Sequence, residues 1–485
     1  MLITPFFPAL RARLAAHVRQ KSRTLRQIHF PLLIEQLRAL LPPQLLASEE
    51  EGPNSRERIF SLRLTFECFV WQLLKPRTSC REVVRAVQAL FQSLHLGPVD
   101  EGTSAFIQGR QRLPRQRLEK ALEATAQVAD RRVGDQGTLN GRPVKVADCS
   151  TTQLADTQKN QKRYPQPSAQ KPGCGFPLLK FLVLFSLSSG AILRVATGHW
   201  RNHDVRLLRG LWDALQKGDI LLGDRAYGDY LTMASLPQQQ VDVVARLHGG
   251  RKVDYRRASK RLGRHDGLFE WSRPREQSEL LSHSQWQEVP EKIVVRILCF
   301  EAVIRGRKQR IRLVTTLLDP LAYPAHQLAA LYARRWHLEL ALRHLKTSMG
   351  MEVLRCQSPE MAQKELLAYL VGYNLIRCLM AEVVALAGTE MARLSFKGSV
   401  DAVRQYSSAI HSQRGQRPRR ELWLQLLSTI ALDPVPLRPH RNEPRAIKRR
   451  PKPYQLLNKP RHRFKEIRHR DRYRKNQTSK NRAFI

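Results

Sequence analysis

A chain of 485 residues exceeds what one ordinary hydrophobic core holds, so two or three domains are expected. Its 83 Lys plus Arg against 42 Asp plus Glu leave a net charge of +41, a self-repulsion that a polyanion relieves, which puts nucleic acid ahead of a membrane surface or a ribosome-like assembly as partner. Seven scattered cysteines without a Cys-x-x-Cys pair argue against a disulfide scaffold and a zinc finger, leaving oxygen ligands for any metal.

The N-terminal text MLITPFFPALRARLAAHVRQ lacks the order of a signal peptide, and a cytoplasmic, nucleoid-associated protein is expected. From about residue 8 to 130 the pattern is helical, broken at Pro42, Pro43 and SEEEGPNS. Ser79-Cys80-Arg81-Glu82 has capping-box spacing and opens REVVRAVQALFQSL, while Phe60, Leu64, Phe69, Trp71 and Leu74 supply a helical core. Residues 1–135 are expected to form a helical DNA-binding domain. A support for the chain's centre is the alternative, and no helix-turn-helix signature decides.

Near Gly141 the period changes to that of a strand: Val144 and Val146 alternate before Asp148 in PVKVADCST. FLVLFSLSSG and AILRVATGHW read as a hairpin turning at Ser189-Gly190, too short and too polar to span a bilayer. DVRLLRGLWDAL is helical, ILLGD is a short buried strand ending at Asp224, and VDVVARL is another strand. This order predicts an α/β fold, a mixed sheet with helices packed on it, over residues 136–357. Text from about 248 to 312 interrupts the rhythm as a β-rich insertion, whose Trp271 and Trp286 are expected to pack, with stacking on an unpaired base as the alternative. Residues 358–435 read as helical with a dimerisation role open. The tail 436–485 holds 18 Lys or Arg against 3 acids from Arg438 onward, too polar to fold alone and suited to lying along a phosphate backbone.

YARRWHLELALRHLK, from Tyr332 to Lys346, predicts one helix with Tyr332, Arg335, Glu339 and Lys346 within an arc of roughly 60°. Leu331, Leu338, Leu342 and Leu345 make the adjoining apolar stripe. Glu339 is thus a carboxylate held among basic groups on an anchored surface. Arg335 offers a planar fork to phosphate, Lys346 a flexible charge, Tyr332 a hydroxyl donor and Arg343 an extension of the contact. Asp148 and Asp224, both in strand settings, complete a set of three oxygen ligands, and Arg225 follows Asp224 with a charge for phosphate. His337 projects away from this face, and His199 and His203 lack a third ligand, so none is placed in the site. Three carboxylates suit Mg²⁺, and two divalent ions roughly 4 Å apart suit phosphodiester cleavage.

The spacing Tyr332, Arg335, Glu339, Lys346 resembles the YREK signature of the DDE transposases of bacterial cut-and-paste insertion sequences, the insertion-sequence-four superfamily. GDRAY around Asp224 and VADCSTTQ around Asp148 are similar to that family's second and first acidic motifs, and the likeness extends over about residues 60 to 480. Cys149 departs from the small polar residue frequent there. The resemblance implies an RNase H-like core carrying a β-rich insertion. It implies Asp148, Asp224 and Glu339 as catalytic, metal-binding triad, with Mg²⁺ (Mn²⁺ as alternative), two ions per site. Tyr332, Arg335 and Lys346 would grip phosphate. The basic tail around Lys448, Arg449 and Arg450 would join them in contacting DNA. Implied partners are double-stranded DNA with terminal inverted repeats, target DNA and a second protomer in a paired-end complex, with no membrane. A nuclease on the same core without strand transfer, and a catalytically inactive DNA-binding regulator, are the competing readings.

Overall fold

The computed structural model describes residues 39–46, 58–75, 78–93, 95–304, 307–413 and 415–436, with 457, 459–460 and 463–464 besides; Lys448, Arg449 and Arg450 lie outside the described residues. Four helices come first: α1 (Leu62–Leu74), α2 (Cys80–Ser93), α3 (Ser104–Arg112) and α4 (Arg115–Val133). The change of period near Gly141 then appears as β1 (Val144–Leu154), followed by α5 (Gln158–Arg163) and the hairpin β2 (Leu178–Ser186) and β3 (Ile192–His199). Next come α6 (Asp204–Arg209), β4 (Ile220–Gly223), α7 (Tyr230–Ser235) and β5 (Asp242–Arg246). β6 (Lys260–Gly263), β7 (Asp266–Ser272), α8 (His283–Glu288), β8 (Lys292–Ile304) and β9 (Arg307–Thr315) follow. The chain then forms α9 (Ala325–Arg334), α10 (Trp336–Arg343), β10 (Val353–Leu354), α11 (Pro359–Ala387), α12 (Phe396–Ser412) and α13 (Gln416–Ala431).

One mixed sheet joins all ten strands in the order β3-β2-β1-β4-β5-β9-β8-β7-β6, with the short β10 parallel to β1. β1 runs antiparallel to β2 and parallel to β4, and β4 runs parallel to β5. The two parallel crossovers explain why β4 and β5 read as unbroken apolar runs: both of their faces are covered. The strands at 260–315 continue the sheet, because β9 pairs antiparallel with β5. Arg296 on β8 is fully buried; its Nε and a terminal nitrogen reach the two carboxylate oxygens of Asp266 at 2.9 and 2.5 Å, and another donates to the Tyr323 carbonyl at 2.7 Å. Those contacts tie the outer strands to the segment leading into α9.

Alternation along the strands sends side chains to two cores. Val144, Val146, Ile220 and Leu222 face a large core built with α1, α4 and α9 to α13, whereas Ala147, Leu221 and Val243 face a smaller one with α6 and α7. Trp271 and Trp286 are buried in the smaller core, with the Arg251 guanidinium 3.9 Å above the first ring and the Arg273 guanidinium 5.4 Å from the second. Both are packing residues and neither indole is exposed. α11 is long and apolar enough to cross a bilayer, yet 78% of its most apolar window is buried inside the protein, where it packs against α4 and α1.

Candidate functional site

β1 and β4 pair in register Val144 with Ile220 and Val146 with Leu222. That pairing ends at Val146 and Leu222; Asp148 lies two residues further along β1, and Asp224 follows Gly223, the last residue of β4. Asp148 continues the alternation of Val146 along β1, on the face of the larger core, whereas Asp224 stands just past the end of β4. Each is half-buried, and each carboxylate is oriented by a backbone donor: Cys149 N–H to Asp148 at 3.0 Å and Ala226 N–H to Asp224 at 2.8 Å. Asp224 thereby caps the single turn Arg225–Tyr227, leaving Arg225 exposed and Tyr227 buried beneath it. Gly223 permits this tight turn, because a Cβ there would stand 2.6 Å from the Tyr227 ring.

Tyr227, Asp204 and Lys180, none of which sequence reasoning singled out, lie near the aspartates together with Cys149. Burial pushes the Tyr227 phenol up, and the negative charges of Asp204, Asp224 and Asp148 push it further, so it stays protonated and both aspartates act on one hydroxyl. The Cys149 thiol is pushed up to about 12, by burial first and Asp204 next, so it stays a thiol at neutral pH. Lys180 on β2 is ion-paired with Asp204 and donates to the Asn202 carbonyl at 2.7 Å. The signal for Tyr227 was its place inside RAYGDY; Asp204 and Lys180 reach the site only through the hairpin and α6.

The expected single helix from Tyr332 to Lys346 is corrected. α9 ends at Arg334, the Arg335 N–H turns tightly onto the Tyr332 carbonyl at 3.1 Å, and α10 begins at Trp336. Residues His344–Ser348 then widen into a π-helical turn, with Met349 N–H reaching the His344 carbonyl at 3.0 Å. The widened turn is anchored from both sides: Leu345 is fully buried, and the His344 ring stacks on Phe396 at 4.7 Å. A hydrogen bond shifted by one residue leaves the apolar pattern intact, so periodicity does not register it. The four residues consequently do not share one straight stripe. Tyr332 is buried in the larger core with the Arg335 guanidinium 5.7 Å from its ring, and Lys346 is half-buried, its ammonium pushed down by burial against the opposing pull of Glu352. Arg343 is exposed.

Glu339 lies on α10, and its side chain is outside the described residues. Ala341 and Leu342 of that helix enter the same large core as Val146 and Leu222. Among the described residues no three His, Cys, Asp or Glu side chains gather as a metal site. His199 is occupied locally, accepting the Arg201 N–H at 3.2 Å.

Burial, then Arg377 and Arg343, push His344 down to about 3 from its ordinary 6.5. Below pH 6.5 the unfolded chain takes up a proton there that the folded chain refuses until about pH 3, so this contribution to stability is complete above pH 6.5 and falls away on acidification. In His344→Phe, which keeps a ring against Phe396, thermal melts between pH 7 and 4 should show a shallower acid loss than the parent. Equal slopes would contradict a buried neutral imidazole.

Residues 139–375 match the family described as the transposase DDE domain. Transposase InsG for insertion sequence element IS4, from Escherichia coli (strain K12), is 25% identical over 426 residues, spanning 85% of this chain and 92% of that protein. Among solved structures, the piggyBac transposase in a synaptic complex with hairpin DNA matches 81% of this chain and 80% of its own at 8% identity, with a TM-score of 0.40.

Proposed function

The chain belongs to the DDE transposases of the insertion-sequence-four family, and from that premise we propose that it binds terminal inverted repeats, cuts DNA to expose a 3′-OH and joins that end to target DNA by a cut-and-paste route. The observation that carries this reading is the parallel pairing of β1 and β4, since Asp148 on β1 and Asp224 just past β4 each lie two residues beyond its last pair, Val146 with Leu222. Strand order 3-2-1-4-5 in the first half of the sheet supports an RNase H-like core, with β6 to β9 as its insertion.

The residues present fit a divalent metal site. The charges of Asp148 and Asp224 both act on the Tyr227 hydroxyl, and a dication offsets the repulsion between two such neighbouring carboxylates. Both are held in orientation by backbone N–H groups, and their donor atoms are the hard oxygens that Mg²⁺ or Mn²⁺ prefers. Asp148, Asp224 and Glu339 are the proposed ligands of an ion pair, which when bound supplies activation of the attacking oxygen and charge stabilisation on the leaving one. Glu339, on α10, is the third proposed ligand. Arg335, Lys346, Arg343 and Arg225 hold phosphate oxygens and fix the strand against the acids; the buried Tyr332 ring positions Arg335. Residues 1–135 and the basic tail, with Lys448, Arg449 and Arg450, extend the grip on double-stranded DNA, and two protomers pair the ends.

A duplex carrying one element end and its flank, incubated with the full chain in Mg²⁺ and a target plasmid, should yield new 3′-OH ends and joined products. Cutting without joining would favour a plain nuclease on the same core. Binding without cutting would point to a regulator.

A further inference from the structure

A cavity of about 770 Å³ lies among the β2–β3 turn, the end of α9, α10, α11 and the start of α12. Its lining carries Arg334, Arg343, Arg377 and Lys397 against a single acid, Glu390. Leu187 beside this turn bonds the Val144 carbonyl at 2.9 Å, so the turn sits at the start of β1, about 13 Å along the strand from Asp148.

Arg377 makes the cavity more than a basic surface. It is 8% exposed, its Nε donates to the Tyr373 hydroxyl at 2.7 Å, and its guanidinium lies 5.2 and 5.4 Å from the Tyr373 and Phe396 rings. Its two terminal nitrogens have no acceptor among the described residues, and neither is sealed from accessible space. A Cβ on Gly190 would stand 3.1 Å from the Arg377 Cζ, so that glycine, at φ 67°, lets the turn approach the guanidinium closely. His344 adds a buried Nδ1 without a partner, also on the cavity wall. Arg334 is half-buried, with only the charge of Glu390 to offset its desolvation. Lys397 is engaged by Asp401 at 2.5 Å, and the Asp433 carboxylate lies near Gly398, so the helix end at Phe396 already has acids close by. The guanidinium groups therefore carry the argument.

Holding a buried guanidinium beside two further arginines is costly without an anion. We propose that this cavity is an oxyanion site that takes a phosphate group, apart from the paired aspartates, with Arg377 and Arg334 as its planar donors. Guanidinium forks match phosphate oxygens in pairs, and the volume leaves room for the nucleoside attached to such a group. A DNA backbone and a free phosphate compound share this chemistry. The site needs neither metal nor strand cleavage, so its failure is distinct from failure of the transposition reading.

Two arms in EDTA test it on the full chain. Inorganic pyrophosphate should raise the melting temperature of the parent, and the rise should vanish in Arg377→Gln and in the double variant Arg334→Gln/Lys397→Ala, whose changes avoid the buried position. Affinity for a duplex, followed against salt, should lose about one unit of log–log slope for each phosphate contact removed. Loss in both arms identifies a DNA phosphate as occupant; loss in the pyrophosphate arm alone identifies a free phosphate compound. An unshifted parent melt, or equal shifts in parent and both variants, overturns the proposal.

Discussion

Asp148→Asn, Asp224→Asn and Glu339→Gln should each lower Mg²⁺-dependent cleavage of an end-bearing duplex by at least about 1,000-fold while leaving duplex affinity in EDTA within about threefold. The three amides keep the size of the acids, and Asn at 148 or 224 still accepts the Cys149 or Ala226 N–H through its carbonyl oxygen. What each removes is a charge that a dication requires. Effects of residues acting as one unit are not additive, so the Asp148→Asn/Asp224→Asn double variant should be no worse than about tenfold below either single. Retained cleavage in Asp224→Asn would remove that residue from the set, and retained cleavage in Glu339→Gln would detach the helix from the chemistry.

The second large effect concerns stability. Asn374 on α11 is fully buried: the two N–H groups of its amide are shared among the carbonyls of Leu122 and Ile192 and the Thr125 hydroxyl, and its oxygen accepts the Ile192 N–H. One side chain thus ties α4, α11 and β3 together. Asn374→Ala strands buried backbone groups as well as opening a void, and should cost about 3–5 kcal/mol. Denaturant melts of parent and variant measure it. A loss below about 1 kcal/mol would mean that water or a local shift replaces those bonds.

Much of this molecule was legible in its residues. Period-two text before Asp148, the apolar run into Asp224 and the break at Ser189-Gly190 each encode local backbone geometry, and β1, β4 and the β2–β3 hairpin follow them. Both tryptophans in the 260–315 region pack as their apolar bulk suggests. Spacing likewise marked Tyr332, Arg335, Glu339 and Lys346, because composition on one helical face is written in sequence. The break at Arg335 and the π-helical turn at His344–Ser348 were not legible, since they depend on Leu345 entering the core and His344 meeting Phe396 some fifty residues later. The pairing of β9 with β5, which turns an insertion into a continuation of the sheet, and the convergence of Tyr227, Asp204 and Lys180 near the aspartates were equally a matter of tertiary structure. Sequence alone determined which residue types carry charge, period and chemistry; only the fold decided which distant ones share a space, because register and burial are set by contacts whose partners lie far apart along the chain.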